Sequence, residues 1–232
     1  MDAAAVHRLE TLNRAFYDTV ATAFDATRSH PWPGWARLLP YLSAPLSVLD
    51  VGCGNGRFGL FLQEQLPPGL RYHGIDSNAA LLASAQAALP GARFEQRDAL
   101  ADLPAGPYDL VALFGVIHHV PGTDRRRALL RALAERVAPG GLLAFACWRF
   151  YEYERFNQRL EHWPEGWDRE PGDYLLDWRQ GEHALRYCHY VDDDEHDELA
   201  AVTGLDELLT YRADGADEAL NRYSLLRRPA SG

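Results

Sequence analysis

The chain has 232 residues, with 23 basic against 33 acidic side chains and a net charge of −10, a balance that argues against a stand-alone protein that wraps nucleic acid by neutralising phosphates. Apolar residues make up 47% and charged residues 24%, the proportions of an ordinary globular domain, which excludes a disordered chain or a fibrous repeat. Every basic side chain other than histidine is arginine, so chemistry that needs a lysine Schiff base or a lysine in a phosphate loop is excluded as well.

In chain order, Leu9, Leu12, Phe16, Val20 and Phe24 recur at spacings of three and four, which marks one apolar face of an N-terminal helix. The stretch SHPWPGW (29–35) breaks it with two prolines, and a short helix through Leu38 and Leu42 follows. Strands and helices then alternate: strand 46–51, helix 58–65, strand 72–75, helix 78–89, strand 92–95, strand 108–115, and helix 123–137 with Leu129, Leu130, Leu133 and Val137 on one face. Ala138-Pro139-Gly140-Gly141 is expected to stop that helix before strand 142–148. From 149 to about 184 periodicity disappears; Trp148, Tyr151, Tyr153, Phe156, Trp163 and Trp167 make this an aromatic-rich insertion or lid. Regularity resumes over 185–191, a helix follows over 193–203, and two antiparallel strands, 208–213 and 221–227, close the chain. Strands this apolar, each followed by a helix, predict an α/β class, doubly wound, mostly parallel seven-stranded sheet covered on both faces. The expected organisation is a single domain over 1–232, with 1–45 as a helical cap and 149–184 inserted.

No apolar run approaches the ~18 residues of a membrane span, and the polar opening MDAAAVHRLE carries no secretory apolar core. Cys53, Cys147 and Cys188 have no zinc-type spacing. A cytoplasmic protein with no metal site and no membrane partner is the expectation.

The sharpest motif is VLDVGCGNGRFG (48–59) at the first strand–helix turn. Glycines at 52, 54 and 56 allow close approach of a ligand, and the helix start offers amide donors. Residues 54–59 also satisfy GxGxxG, and Asp76 ends the next strand, which is the dinucleotide fingerprint of an NAD-dependent oxidoreductase. Asp50 separates the two readings. A carboxylate just before the glycines repels a pyrophosphate and suits a cationic amino-acid tail, such as the ammonium of S-adenosylmethionine. Asp76 then matches the ribose hydroxyls, and Asp98 in RDAL the adenine amino group.

The glycine motif, YHGIDSN (72–78), YDLVALFGVIHHV (108–120) and APGGLLAF (138–145) resemble, in order and spacing, the class I S-adenosylmethionine-dependent methyltransferases, with their Rossmann-like fold. FYDTVATAFDATRSHPWPGW (16–35), GDYLLDW (172–178) and LRYCHY (185–190) resemble more closely the tRNA wobble-uridine carboxymethyl methyltransferases, which form an ester on the modified uridine. The resemblance implies S-adenosyl-L-methionine as cofactor, with contacts at Tyr17, Arg28, Asp50, Gly52, Gly54, Asp76, Ser77, Asp98 and Ala99, and with the loop from Phe114 to His118 near the methyl group. Arg28 would pair with the cofactor carboxylate. It also implies tRNA as a partner, together with a small zinc-binding activator protein.

A carboxylate acceptor is ionised at neutral pH and needs a cationic clamp more than a base. Arg186 and His189, with Trp178 and Asp173, are the candidate substrate wall. His118 and His119 are the candidate base for a hydroxyl or amine acceptor, although such a pair is more often structural. The cluster Arg125, Arg126, Arg127 and Arg131 reads as a solvated helix face, and the acidic run 192–195 as a helix start. Two further functions stand beside the tRNA reading: a small-molecule O-methyltransferase of bacterial metabolism, and a catalytically silent module that binds the cofactor.

Overall fold

A computed structural model describes residues 1–27, 30–178 and 183–230; Arg28, the expected partner of the cofactor carboxylate, lies outside them. Seven strands form the main sheet in the order β3-β2-β1-β4-β5-β10-β9. They are β1 (Leu46–Val51), β2 (Leu70–Asp76), β3 (Arg93–Gln96), β4 (Tyr108–Phe114), β5 (Val137–Trp148), β9 (Asp206–Ala213) and β10 (Asn221–Arg227). The first five run parallel, and β10 lies antiparallel between β5 and β9. This is the Rossmann-like arrangement expected from the alternation of apolar strands and helices. Helices α2 (Arg57–Gln65), α3 (Ala79–Ala88), α4 (Thr123–Glu135) and α6 (Asp193–Ala201) flank it. The buried residues fall into two large clusters, one containing Val48, Leu110 and Ala144 and the other Leu49, Val111 and Leu143. Alternate residues of the same strands point into opposite layers, as a sheet covered on both faces requires.

The strand order reverses between β1 and β4, and such a switch point opens a crevice at the carboxyl ends of the strands. Asp50, Asp76 and Phe114 all sit at that edge.

The stop expected at 138–141 falls inside a strand instead. Helix α4 ends at Glu135, and β5 begins at Val137, paired with Tyr108 before the register shifts to Leu110↔Leu142. Gly140 N donates to Arg228 O and Gly141 O accepts from Arg228 N, so the Pro-Gly-Gly stretch is an irregularity held by the end of β10 rather than a free turn.

The aromatic segment contains regular structure that its sequence did not announce. After a short helix α5 (Glu154–Asn157), strands β6 (Leu160–Glu161), β7 (Asp173–Trp178) and β8 (Ala184–His189) make an antiparallel three-stranded sheet. Most of β7 is buried on both sides, which erases the alternation that marks a strand. Helix α1 (Ala3–Ala26) lies on this small sheet. Leu9 packs with Leu175 and Tyr187, and Phe16 and Val20 pack with Trp178, so the apolar stripe of the first helix is covered by chain more than 150 residues later.

Candidate functional site

A cavity of about 550 Å³ opens at the switch point, between the main sheet, α1 and the small sheet. Pockets of this size are typical for small molecules and cofactors. One half is built by the glycine turn. Gly52 has φ +71° and its missing Cβ would stand 2.2 Å from Val116 Cγ2, so only glycine fits. Gly54 also has positive φ, yet nothing lies within 4 Å of where its Cβ would be, so the chain presents bare backbone to the cavity there.

Three carboxylates from successive strand ends line this half: Asp50, Asp76 and Asp98. Asp50 is buried and accepts a hydrogen bond from Tyr72 Oη. Burial pushes its carboxyl up to about 7, against the Tyr72 bond, with the negative charge of Asp76 adding to the rise. Asp76 Oδ2 accepts from Gly54 N at 2.9 Å and Oδ1 from Asn78 N at 2.8 Å. Burial raises its pKa as well, and those amide donors restrain the shift. Asp98 Oδ1 accepts from Leu100 N at 2.9 Å. Ser77, Ala99 and Phe114 also line the cavity. Asp25 of α1 ties the roof to this half, accepting from Asn55 Nδ2 at 2.7 Å and Ser84 Oγ at 2.9 Å.

The other half is aromatic and cationic, lined by Tyr17, His118, Trp148, Phe156, Arg159, Trp178 and Arg186. Arg186 is buried, with its guanidinium carbon 4.9 Å from the Trp148 ring centre, 5.2 Å from Phe16 and 6.0 Å from Trp178. Among the described residues it has no carboxylate partner, and its Nε has no acceptor. A buried guanidinium is costly unless an anion joins it, and ring faces alone leave all five of its N–H donors to be used. Arg159 also lines the cavity, and among the described residues it too has no ion-pair partner. Beside them, His119 Nδ1 lies 2.9 Å from Tyr187 O and its Nε2 2.8 Å from Tyr17 Oη. A carbonyl only accepts, so Nδ1 carries the hydrogen, and in the neutral ring Nε2 accepts a hydrogen bond from the Tyr17 hydroxyl.

Residues 49–143 match the model of a methyltransferase domain. The chain is 27% identical over 209 residues to a trans-aconitate 2-methyltransferase of Azoarcus sp. (strain BH72), covering 73% of this chain and 81% of that one. It is 28% identical over 163 residues to a tRNA (carboxymethyluridine(34)-5-O)-methyltransferase of Schizosaccharomyces pombe, covering 70% and 65%. Among solved structures, a methyltransferase from Methanosarcina mazei that depends on S-adenosylmethionine superposes with a TM-score of 0.69 at 17% identity, covering 87% of this chain and 99% of the other. Residues 49–143 thus carry a methyltransferase domain, in a fold shared with S-adenosylmethionine-dependent methyltransferases of known structure.

The structure places the residues singled out in the sequence in two groups. Tyr17, Asp50, Gly52, Gly54, Asp76, Ser77, Asp98, Ala99, Phe114, His118, Trp178 and Arg186 all line this cavity. Asp173 and His189 do not. They are buried and bonded to each other, Asp173 Oδ1 to His189 Nδ1 at 2.7 Å, on the side of the small sheet away from the cavity. Residues 186 and 189 sit an odd number of positions apart on β8, so their side chains leave opposite faces. Arg126 is the second correction: it is fully buried and ion-paired with Glu170 and Glu195 rather than solvated. Arg159, Phe156 and the Tyr17–His119 pair were missed as members of the wall. A charge in an aperiodic stretch carries no local sign of where it points.

Proposed function

We propose that the domain transfers a methyl group from S-adenosylmethionine to a carboxylate oxygen of a small anionic acceptor. The residues fit this cofactor better than a dinucleotide, because three carboxylates and bare glycine backbone suit a cationic tail and a ribose diol and repel a pyrophosphate. Asp50 would face the ammonium, Asp76 the ribose hydroxyls, and Asp98 the adenine edge. When bound, the cofactor supplies an activated methyl group on a sulfonium with a neutral leaving group.

What remains for the chain is alignment and exclusion of water, which can supply roughly 7–11 kcal/mol in well-oriented systems. The observation that carries the reading is Arg186. Its unmatched guanidinium, held among three rings, can take a carboxylate bidentately and fix one oxygen for attack. An ionised carboxylate has no proton to remove, so His118 is a wall residue here rather than a base. Helices long and apolar enough to cross a membrane are absent among the described residues.

The test is incubation of the purified chain with S-adenosylmethionine and trans-aconitate, with mass-spectrometric detection of a methyl ester. Ester formation that saturates with acceptor supports the reading; turnover confined to amine or phenol acceptors overturns it. The matches to tRNA carboxymethyluridine enzymes in S. pombe, mouse and Arabidopsis thaliana favour a second reading, in which the carboxylate is a carboxymethyl group on a wobble uridine and a small zinc-binding protein assists. Methylation of carboxymethyl-modified tRNA, with no methylation of trans-aconitate, would select it.

A further inference from the structure

Strand β8 carries Arg186 into the cavity and His189 out of it. His189 is 2% exposed. Its Nδ1 lies 2.7 Å from Asp173 Oδ1 on β7, and its Nε2 lies 2.7 Å from Glu195 Oε2 on α6. An ionised carboxylate oxygen only accepts, so both ring nitrogens must donate, and an imidazole does that only as the imidazolium. The other polar groups around it are already committed. Tyr187 Oη and Glu170 N donate to Asp173 at 2.6 and 2.8 Å, Arg126 Nε donates to Glu195 Oε1 at 2.7 Å, and Arg126 Nη2 reaches Glu170 at 3.2 Å. Glu170 in turn accepts from Thr123 N at the start of α4.

We propose that His189, as an imidazolium bridging Asp173 and Glu195, is a positioning residue that clasps β8 to α6 and thereby sets Arg186 in the acceptor half of the cavity. The same strand offers Tyr187 O to His119, so the clasp also fixes the Tyr17–His119 pair. Burial opposes a charge on His189, as does the positive charge of Arg126, but the two carboxylates outweigh them and raise its pKa. The contribution of the clasp is therefore complete below the ordinary histidine range and is lost as pH rises through the folded-state value. There, one nitrogen lone pair comes to face a carboxylate oxygen and the β8–α6 contact turns repulsive.

The experiment follows the side-chain nitrogen-15 resonances of His189, together with the Nε–H resonance of Arg186, across pH 6 to 9. The result expected is a doubly protonated ring at pH 7 and an Arg186 signal that moves with the titration of His189. In Glu195→Gln both transitions should fall together by about one pH unit or more, since an opposite charge in contact is worth that much. With trans-aconitate as acceptor, KM should rise several-fold over the same interval while cofactor affinity stays flat. A singly protonated His189 at pH 7, or an Arg186 signal that ignores its titration, overturns the proposal. The link to the acceptor rests on the carboxylate reading, but the resonance measurement needs no turnover, so failure of that reading and failure of the clasp are told apart. The wild-type titration also stands if Glu195→Gln does not fold.

Discussion

Asp50 and Tyr72 meet on neighbouring strands at the buried edge of the cavity, where the tyrosine hydroxyl donates to the carboxylate. Burial sets the Asp50 carboxyl at about 7, and the Tyr72 bond is the largest influence holding it down. Without ligand, the folded chain binds this proton more tightly than the unfolded chain does. The Asp50 contribution to stability is thus present below about pH 4, the ordinary carboxylate value, and is lost as pH rises through about 7.

Cofactor binding should run the opposite way. A cationic tail needs the ionised form, so affinity for S-adenosylmethionine should weaken as pH falls below 7, approaching roughly tenfold per unit. Tyr72→Phe removes the bond that favours ionisation and should move the transition upward, while Asp50→Asn should flatten it. Titration calorimetry from pH 5.5 to 8.5 checks this; a flat wild-type profile would remove Asp50 from the ammonium site.

Gly52 and Gly54 share positive φ but differ in surroundings, which separates two effects of an added methyl group. At Gly52 the Cβ meets Val116 at 2.2 Å, so Gly52→Ala combines backbone strain with a clash and should cost about 2–4 kcal/mol of stability. Val116→Ala should recover part of that loss. Gly54→Ala meets open space and should cost only about 1 kcal/mol of stability, with the larger loss in cofactor affinity. Urea unfolding and calorimetry on both variants distinguish the cases.

Arg186→Gln should leave cofactor affinity unchanged and weaken acceptor binding by about 1.5–3 kcal/mol, the range for hydrogen bonds to a charged group. Arg186→Lys should rescue little, because the contacts with Trp148, Phe16 and Trp178 suit a flat guanidinium rather than a compact ammonium. Steady-state kinetics on both variants, with a parallel cofactor titration, provides the check. Equal loss of cofactor and acceptor binding would move Arg186 out of the acceptor role.

His196 is fully buried, with its ring stacked on Phe145 at 4.8 Å and its Nε2 2.8 Å from Ser224 Oγ. Burial pushes its pKa down to about 3, with the charges of Arg222 and Arg149 assisting. Its contribution to stability is present above the ordinary value near 6.5 and is lost as pH falls toward the folded value, by up to about 1.4 kcal/mol per unit. His196→Phe keeps a stacked ring, and Ser224 keeps Thr210 Oγ1 as a neighbour at 3.4 Å. The variant should therefore lose stability less steeply than wild type between pH 6.5 and 4 in thermal melts.

The main sheet, the apolar stripe of α1 and the glycine-and-carboxylate half of the cavity were legible in the sequence. Those features are written within a dozen residues at a time: an apolar run between glycines, a period of three and four, a carboxylate at each strand end. Strand ends in a parallel sheet converge on one edge, so Asp50, Asp76 and Asp98 needed no further information to be brought together.

The aromatic and cationic half of the cavity was not legible in the sequence. Arg126 and Arg186 look alike in sequence, yet Arg126 is buried against Glu170 and Glu195 while Arg186 is buried without an anion. Asp173 and His189 look like substrate ligands until β7 and β8 pair them directly, Asp173↔His189. Had 184–189 been recognised as a strand, the period of two would have put Arg186 and His189 on opposite faces. The remainder had no local trace, because the worth of a charged side chain depends on what desolvates it and which partner reaches it. Here the partners come from segments 40 to 70 residues away.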